Sequence, residues 1–380
     1  MVVLTVLTLL GLSLFIGQFS VAQHRIRGAQ NTAQALAEAK EALIGDAISK
    51  SAISDAAYLR LPDLGQFPAG TPNEGFASLN FTGNTKNYSV LGKLPWKTLR
   101  TAALRDGNAE CIWYVVSGRY KIDPPTDALN WDTQGQIDVI DGNGNVIAAN
   151  LAALLIAPGT PQAGQDRSPS NAAYTQCAGN YSAPNYLDAH DVGNAISGEV
   201  NYFAGSINNR VATNENNKRF VTTDSAYYND QFLYVTADDI FLTLIKRSDF
   251  SAALDNLLDN TGFVTAPISG SKGTDSFSCG ADVFCKNWKE MLLLKELQPP
   301  APITIDGVAS GVCSRILFFA GRKGTGQSRN TVAEKADVNN YLEGTNASSF
   351  SIVDAPASDF SGASSFDWSA PETDLVRCLP

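Results

Sequence analysis

Hydrophobic positions along the chain are first continuous, then helically spaced, then alternating. Met1 to Gly17 is almost wholly apolar (MVVLTVLTLLGLSLFIG), and Met1 to Gln23 holds no charged side chain. As a helix rising 1.5 Å per residue, this uncharged stretch is long enough to cross ~30 Å of hydrocarbon. From Arg25 to about Ala57 there is no proline, and the strong helix formers Ala, Leu, Glu, Lys and Gln dominate. Leu36, Leu43, Ile44, Ala47 and Ile48 recur at helical spacing, whereas Glu38, Glu41 and Lys50 lie mostly off that stripe. Leu61-Pro62 is the expected stop, because a residue before proline disfavours helical geometry. The pattern therefore predicts one helix over 1–57, roughly 80 Å long, lipid-compatible in its first half and amphipathic in its second. Gly11, Gly17, Gly28 and Gly45 mark places for bending or close packing. A secretory signal peptide would carry Lys or Arg before its apolar run and a cleavage site after it, and neither is present.

Beyond the helix, strand and turn signals take over. GQIDVIDGNGNVIAANLAALLIAPG (135–159) reads as a hairpin about Asp141-Gly142-Asn143-Gly144. Asp141, Asn143 and Asn145 imitate the start of a calcium loop, but Val146 stands where that loop needs glycine and no closing Glu follows. A strand is expected at QFLYV (231–235), then a helix entered through Thr236, Asp238 and Asp239 and running to roughly Leu258. A further helix is expected from Asn287 to Leu297, ended by Pro299-Pro300.

An internal repeat runs through this part. Ile140-Asp141-Gly142, LLIAPGTPQAGQDR (154–167) and Asn185-Tyr186-Leu187-Asp188 form one series. Ile305-Asp306-Gly307, LFFAGRKGTGQSR (317–329) and Asn340-Tyr341-Leu342-Glu343 form the other, with Trp113 and Trp288 as equivalent leading aromatics. The expected fold is α+β: the long N-terminal α-helix, then a large β-rich globular head. Two related lobes, 58–235 and 301–380, flank a helical connecting segment, 236–300. Gln165, Arg167, Gln327 and Arg329 are read as loop side chains that bond neighbouring backbone.

Composition adds exclusions. Hydrophobic residues make up 44% and charged residues 17%, which fits a largely globular chain. The net charge of −10 argues against a duplex nucleic-acid partner. Lys218-Arg219 and Arg322-Lys323 are too small to alter that and read as solvated charge. With two histidines, His24 and His190, histidine-based metal sites are not expected. His190 lies between Asp188 and Asp191, the arrangement of a general base, but a surface-loop histidine is the commoner case. No nucleophile elbow, phosphate-binding loop, dinucleotide fingerprint or zinc-protease helix occurs. No enzymatic activity, cofactor or metal is expected.

The six cysteines are Cys111, Cys177, Cys279, Cys285, Cys313 and Cys378. An even count implies disulfides where the chain is anchored and exported to an oxidising compartment, and six cysteines allow fifteen pairings. Cys279 and Cys285 are the nearest pair, closing a short loop. Asparagine sequons at Asn80, Asn87, Asn180 and Asn346 are consistent with exposed polar loops and leave glycosylation open.

The N-terminal pattern resembles the type IV pilin-like and pseudopilin superfamily. The stretches AQALAEAKEALIGDAIS (33–49), LPWKTL (94–99), LRDGNAECIWYVVS (104–117) and YYNDQFLYVTADDIF (227–241) are similar to segments of large pilin-like proteins of Gram-negative bacteria. The resemblance implies a structural subunit of an extracellular filament, held in the inner membrane before assembly. It would assemble as a helical homo-oligomer through Met1, Val2, Val3, Leu4, Thr5, Leu7, Leu10, Leu14 and Phe15. Its partners would be copies of itself and the pilus assembly machinery of the inner membrane. A leader removed by a membrane peptidase is also implied, which would make Met1 the first residue of the processed subunit. The family usually carries Glu at the fifth mature position, where this chain has Thr5. That departure is shared by the large tip subunit of secretion pseudopili, so a minor tip subunit is the alternative. A membrane-anchored periplasmic binding module is another. C-terminal disulfides are common in pilins, which makes Cys313 one candidate partner for Cys378 near the chain end.

Overall fold

The computed structural model describes residues 2–67, 70–79, 84–86, 88–188, 201, 218–223, 227–259, 277–351 and 359–380, with backbone alone at 2–21 and 351. The chain is mixed α+β, an N-terminal helix followed by a β-rich body. It forms two compact units. The first comprises 1–46, 59–125 and 135–236; the second comprises 47–58, 126–134 and 237–380. From Ala237 onward the segment read as a connector, 236–300, falls within the second unit, as do two short stretches from earlier in the chain.

Helix α1 runs from Val2 to Ile48. Along its described part Thr32, Ala35, Leu36, Ala39, Leu43 and Ala47 are buried at steps of three and four, while Glu38 and Glu41 are exposed. Burying Leu36 and Leu43 stabilises by about 2 kcal/mol each. The helix stops nine residues short of 57. Ala57, with φ of 74°, turns its N–H onto the Ala47 carbonyl at 3.0 Å. Arg247 donates to the Ile48 carbonyl and, at 3.0 Å, to the Lys50 carbonyl. A basic side chain thus satisfies carbonyls that a continued helix would have bonded itself.

In the first unit, β1 (Val90–Lys93), β2 (Trp113–Val116), β5 (Ala153–Ala157) and β7 (Gln231–Val235) form an antiparallel sheet in the order β1-β2-β5-β7. A smaller sheet has the order β4-β3-β6, built from β3 (Ile137–Ile140), β4 (Val146–Ala148) and β6 (Lys218–Val221). β5 is buried at every position, and Trp113 faces Ile156 across the β2–β5 ladder. Leu91, Trp113, Val139, Ile156, Tyr186 and Phe220 belong to one core. The expected hairpin over 135–159 is realised only as β3–β4. β5 leaves it to become an inner strand of the larger sheet.

The second unit opens with α2 (Ala237–Leu244) and α3 (Ser248–Asp259). The single helix expected through Leu258 is broken at 245–247, where Arg247 turns back onto Asp249 and the carbonyls after α1. α4 spans Val283–Trp288. The helix expected from Asn287 to Leu297 is absent. Leu292 begins β8 (Leu292–Ile305), whose Leu292, Leu293 and Leu294 are buried on both faces of a sheet. Pro299 and Pro300 fall in the register irregularity between Glu296 and Ala301, where missing N–H donors cost little. β9 (Val308–Phe319) returns antiparallel. After α5 (Val332–Ala336) and α6 (Gly344–Ser351) come β10 (Asp359–Phe360) and β11 (Leu375–Leu379), giving the order β10-β8-β9-β11. The aromatic core holds Trp131 edge-on to Trp288 at 4.8 Å, with Phe250 and Phe319 against Trp288.

Candidate functional site

The expected assembly surface, Met1, Val2, Val3, Leu4, Thr5, Leu7, Leu10, Leu14 and Phe15, lies outside the described side chains; the backbone from Val2 on is helical and continuous with the described part of α1. What anchors α1 is close contact. A Cβ at Gly107 would sit 2.2 Å from the Gly28 carbonyl oxygen, so only glycine permits this approach. Thr32 Oγ1 donates to the Gly28 carbonyl at 3.0 Å and accepts the Gly107 N–H at 2.8 Å. Gly107 sits in a loop organised by Asp106, whose Oδ1 accepts the Asn108 and Glu110 N–H groups and whose Oδ2 accepts that of Gly159. The LRDGNAEC string is thus a tight carboxylate-centred turn that leads into β2.

Three disulfides are present: Cys111–Cys177, Cys279–Cys285 and Cys313–Cys378. Two close long loops, with separations of 66 and 65 residues. The third spans the start of α4.

The two Gln-x-Arg turns fold alike. Arg167 donates from Nε to the Asn185 carbonyl (3.0 Å), from one terminal nitrogen to the Gly159 carbonyl (2.9 Å) and from the other to Gln165 Oε1 (2.9 Å). Its guanidinium lies 5.0 Å over the Tyr186 ring. Arg329 bonds the Asn340 carbonyl, the Gly321 carbonyl (3.1 Å) and Gln327 Oε1 (3.3 Å), and lies 4.2 Å over Tyr341. Asn185 Oδ1 accepts the Asp166 N–H, and Asn340 Oδ1 accepts the Ser328 N–H. Each arginine then takes a different carboxylate. Arg167 meets Glu110 at 3.2 Å, whereas the fully buried Arg329 meets buried Asp132 at 2.9 Å. Trp113 and Trp288 lie in different settings: Trp113 faces Ile156 across the β2–β5 ladder, whereas Trp288 closes α4.

A second constellation has only a faint signature in the sequence. Asp230, immediately before β7, accepts the Asp188 N–H (2.9 Å) and Asn201 Nδ2 (3.0 Å) on Oδ2. Asn201 also exchanges two bonds with the Val221 backbone at the end of β6. Asp374, immediately before β11, accepts the Glu343 N–H (3.4 Å) and Asn346 Nδ2 (2.9 Å), and Asn346 exchanges two bonds with the Ser361 backbone just after β10. Burial raises the carboxyl groups of Asp188 and Asp230 above the usual range, Asp230 strongly and with help from the Asp188 charge. The available signal was an Asp directly before each apolar strand, QFLYV and LVRCL.

Lys93 is buried in the first unit and lies 4.7 and 4.8 Å over the rings of Tyr181 and Tyr186. Nearby Asp63 accepts the Gly65 and Gly75 N–H groups and the Tyr181 hydroxyl (2.6 Å). Burial pushes Asp63 up to about 6 and pulls Lys93 down to about 8, each moderated by the other's charge.

The doublet Arg322-Lys323 differs from expectation, whereas Arg219 is exposed. Arg322 pairs with Asp238 (2.5 Å) and Glu372 (3.4 Å), so it is not merely solvated. Asn180 and Asn346 are buried, and Nδ2 of each donates twice, so neither sequon is an exposed loop. Asn80, Asn87 and His190 lie outside the described residues. Among the described residues, no group of three or more His, Cys, Asp or Glu is placed to hold a metal ion. Among the same residues no helix is long and apolar enough to cross a membrane. Comparison with protein-family models, curated proteins and solved structures finds no match to this chain.

Proposed function

We propose that this chain is a structural subunit of an extracellular filament of the type IV pilus or pseudopilus class, assembled through α1. The observation that carries the reading is the division of labour along one helix. Its second half spends a stripe from Thr32 to Ala47 on the chain's own body, while the uncharged stretch from residue 2 to 23 continues the same rod. Such a stretch needs a water-free environment, first lipid and then a bundle of like helices, where close packing and a complete helical hydrogen-bond ladder satisfy it. A head-to-tail contact of this kind does not close, and so propagates as a helix. Extraction from the inner membrane into a surface filament, driven by the assembly machinery, completes the scheme.

The reading extends to the body, taken as two copies of one β-rich module. The support is the paired set of bonds about Arg167 and Arg329, about Asn201 and Asn346, and about Asp230 and Asp374. The strand relations agree. β7 pairs antiparallel with β5 as β11 does with β9, and β6 pairs parallel with β3 as β10 does with the end of β8.

The test is assembly. Thr5→Lys, or a proline placed within 5–15, blocks filament formation without unfolding the body, because a buried unpaired charge or a broken helix is costly in the bundle. Normal filament yield from both variants contradicts the proposal. Thr5 in place of the family's Glu favours a tip position as the second reading. Copy number in sheared filaments separates the two: many per filament for the main subunit, about one for the tip.

A further inference from the structure

We propose that Glu343 and Asp374 form a proton-operated latch, which fastens the start of α6 to the start of β11 while the two carboxyl groups share a proton and loosens when that proton leaves. The geometry is as follows. Asp374 is 3% exposed. Its Oδ2 accepts Asn346 Nδ2 and the Glu343 N–H, and the carboxyl also takes the Gly321 N–H. Its Oδ1 is buried with no hydrogen-bond partner among the described residues, and the Glu343 carboxyl lies in hydrogen-bond contact with Asp374. Glu343 Oε1 is held by Gln327 Nε2 at 2.9 Å.

Two carboxylates in contact cannot both stay charged cheaply, whereas a proton between them satisfies the orphan oxygen. Arg329 is a cation that bears on Glu343, and that guanidinium is already committed to Asp132. Partial burial, then the Asp374 charge, pushes Glu343 up to about 8. Glu343 also lines an open cavity of about 600 Å³ with Thr325, Gln327, Asn339 and Ser348, which gives the proton a route to solvent. The latch closes α6 through the Ala347 N–H, which bonds the Glu343 carbonyl, and holds β11 at Leu375 beside Phe319.

The native form keeps the proton and the opened form loses it near the ordinary glutamate value. Protection is therefore complete below about pH 4.5 and lost as pH rises to about 8. Hydrogen exchange on the full chain in mild detergent reads this directly. Protection factors at Asn346, Ala347, Leu375 and Val376 should fall by up to tenfold per pH unit from pH 5 to 8 and level off above. In Glu343→Gln and in Asp374→Asn the same amides should show no such slope. A slope retained in Glu343→Gln overturns the latch, as does a wild-type profile flat across this range. Where a variant fails to fold, carboxyl carbon shifts of the wild type decide: Glu343 titrating near 8 supports the latch, and near 4 to 5 overturns it.

Discussion

Replacing Arg329 by methionine gives the sharpest test of how the second unit is held together. The side chain is 0% exposed, its partner Asp132 is 1% exposed, and the two meet at 2.9 Å. Methionine keeps much of the volume and removes the charge. Among the described residues, Asp132 then faces a buried environment with Lys323, 3.9 Å away, to offset it. Loss of one partner from a buried pair costs about 3–5 kcal/mol, and orphaning the Gly321 and Asn340 carbonyls adds about 1 kcal/mol or more each. The expected destabilisation is thus at least about 5 kcal/mol. The matched change Arg167→Met is the internal control. There the side chains of Arg167 and Glu110 are 9% and 22% exposed, so solvent screens the charge left behind, and about 3 kcal/mol is expected, mostly from the Asn185, Gly159 and Tyr186 carbonyls left unbonded. Urea unfolding of the full chain in mild detergent, followed by tryptophan fluorescence, reports on the Trp131–Trp288 pair in the same unit. Adding Asp132→Asn to Arg329→Met should recover about 2 kcal/mol, because the stranded charge is gone. A cost for Arg329→Met no larger than for Arg167→Met, or no recovery in the double variant, refutes the reasoning.

Four further outcomes follow from the first unit, the disulfides and the sequons. Gly107→Ala drives a Cβ to 2.2 Å from the Gly28 carbonyl oxygen and should loosen α1 from its seat by about 1–3 kcal/mol, read as faster proteolysis within 25–40 and no change near Trp288. Asp63 is raised to about 6, so its protonation stabilises fully below about pH 4 and that contribution is lost as pH rises through 6. Asp63→Asn should flatten unfolding free energy across pH 4–6, where the wild type falls by up to about 1.4 kcal/mol per pH unit. Removing Cys313–Cys378, which closes a 65-residue separation, should cost about 4 kcal/mol on the chain-entropy estimate, checked by unfolding of the double serine variant. Peptide mass analysis should find Asn180 and Asn346 unmodified, since both hydrogens of each side-chain amide are engaged.

Local features were readable in the sequence where spacing or turn chemistry is decisive. The stripe of α1 follows from Leu36, Leu43 and Ala47, the strand at 231–235 from its β-favouring run, and the Gln-x-Arg turns from side chains that bond within a few tens of residues. Leu292–Leu294 failed as a strand signal because a segment buried on both faces shows no alternation, and its Lys and Glu neighbours favour helix. The break between α2 and α3 turns on one arginine reaching back about 200 residues to the carbonyls after α1. Partners such as Arg329 and Asp132, or Asp188 and Asp230, are brought together by the sheets alone. No local pattern announces them, beyond an acid placed just before an apolar strand.

The central claim is that the apolar first half of α1 ends its life among copies of itself. Cryo-electron microscopy of filaments sheared from the cell surface tests it most directly. The account predicts density in which residues 1–24 are helical and pack against the same segment of neighbouring copies. Mature chains that lack those residues, or filaments in which the segment meets only solvent, would contradict it.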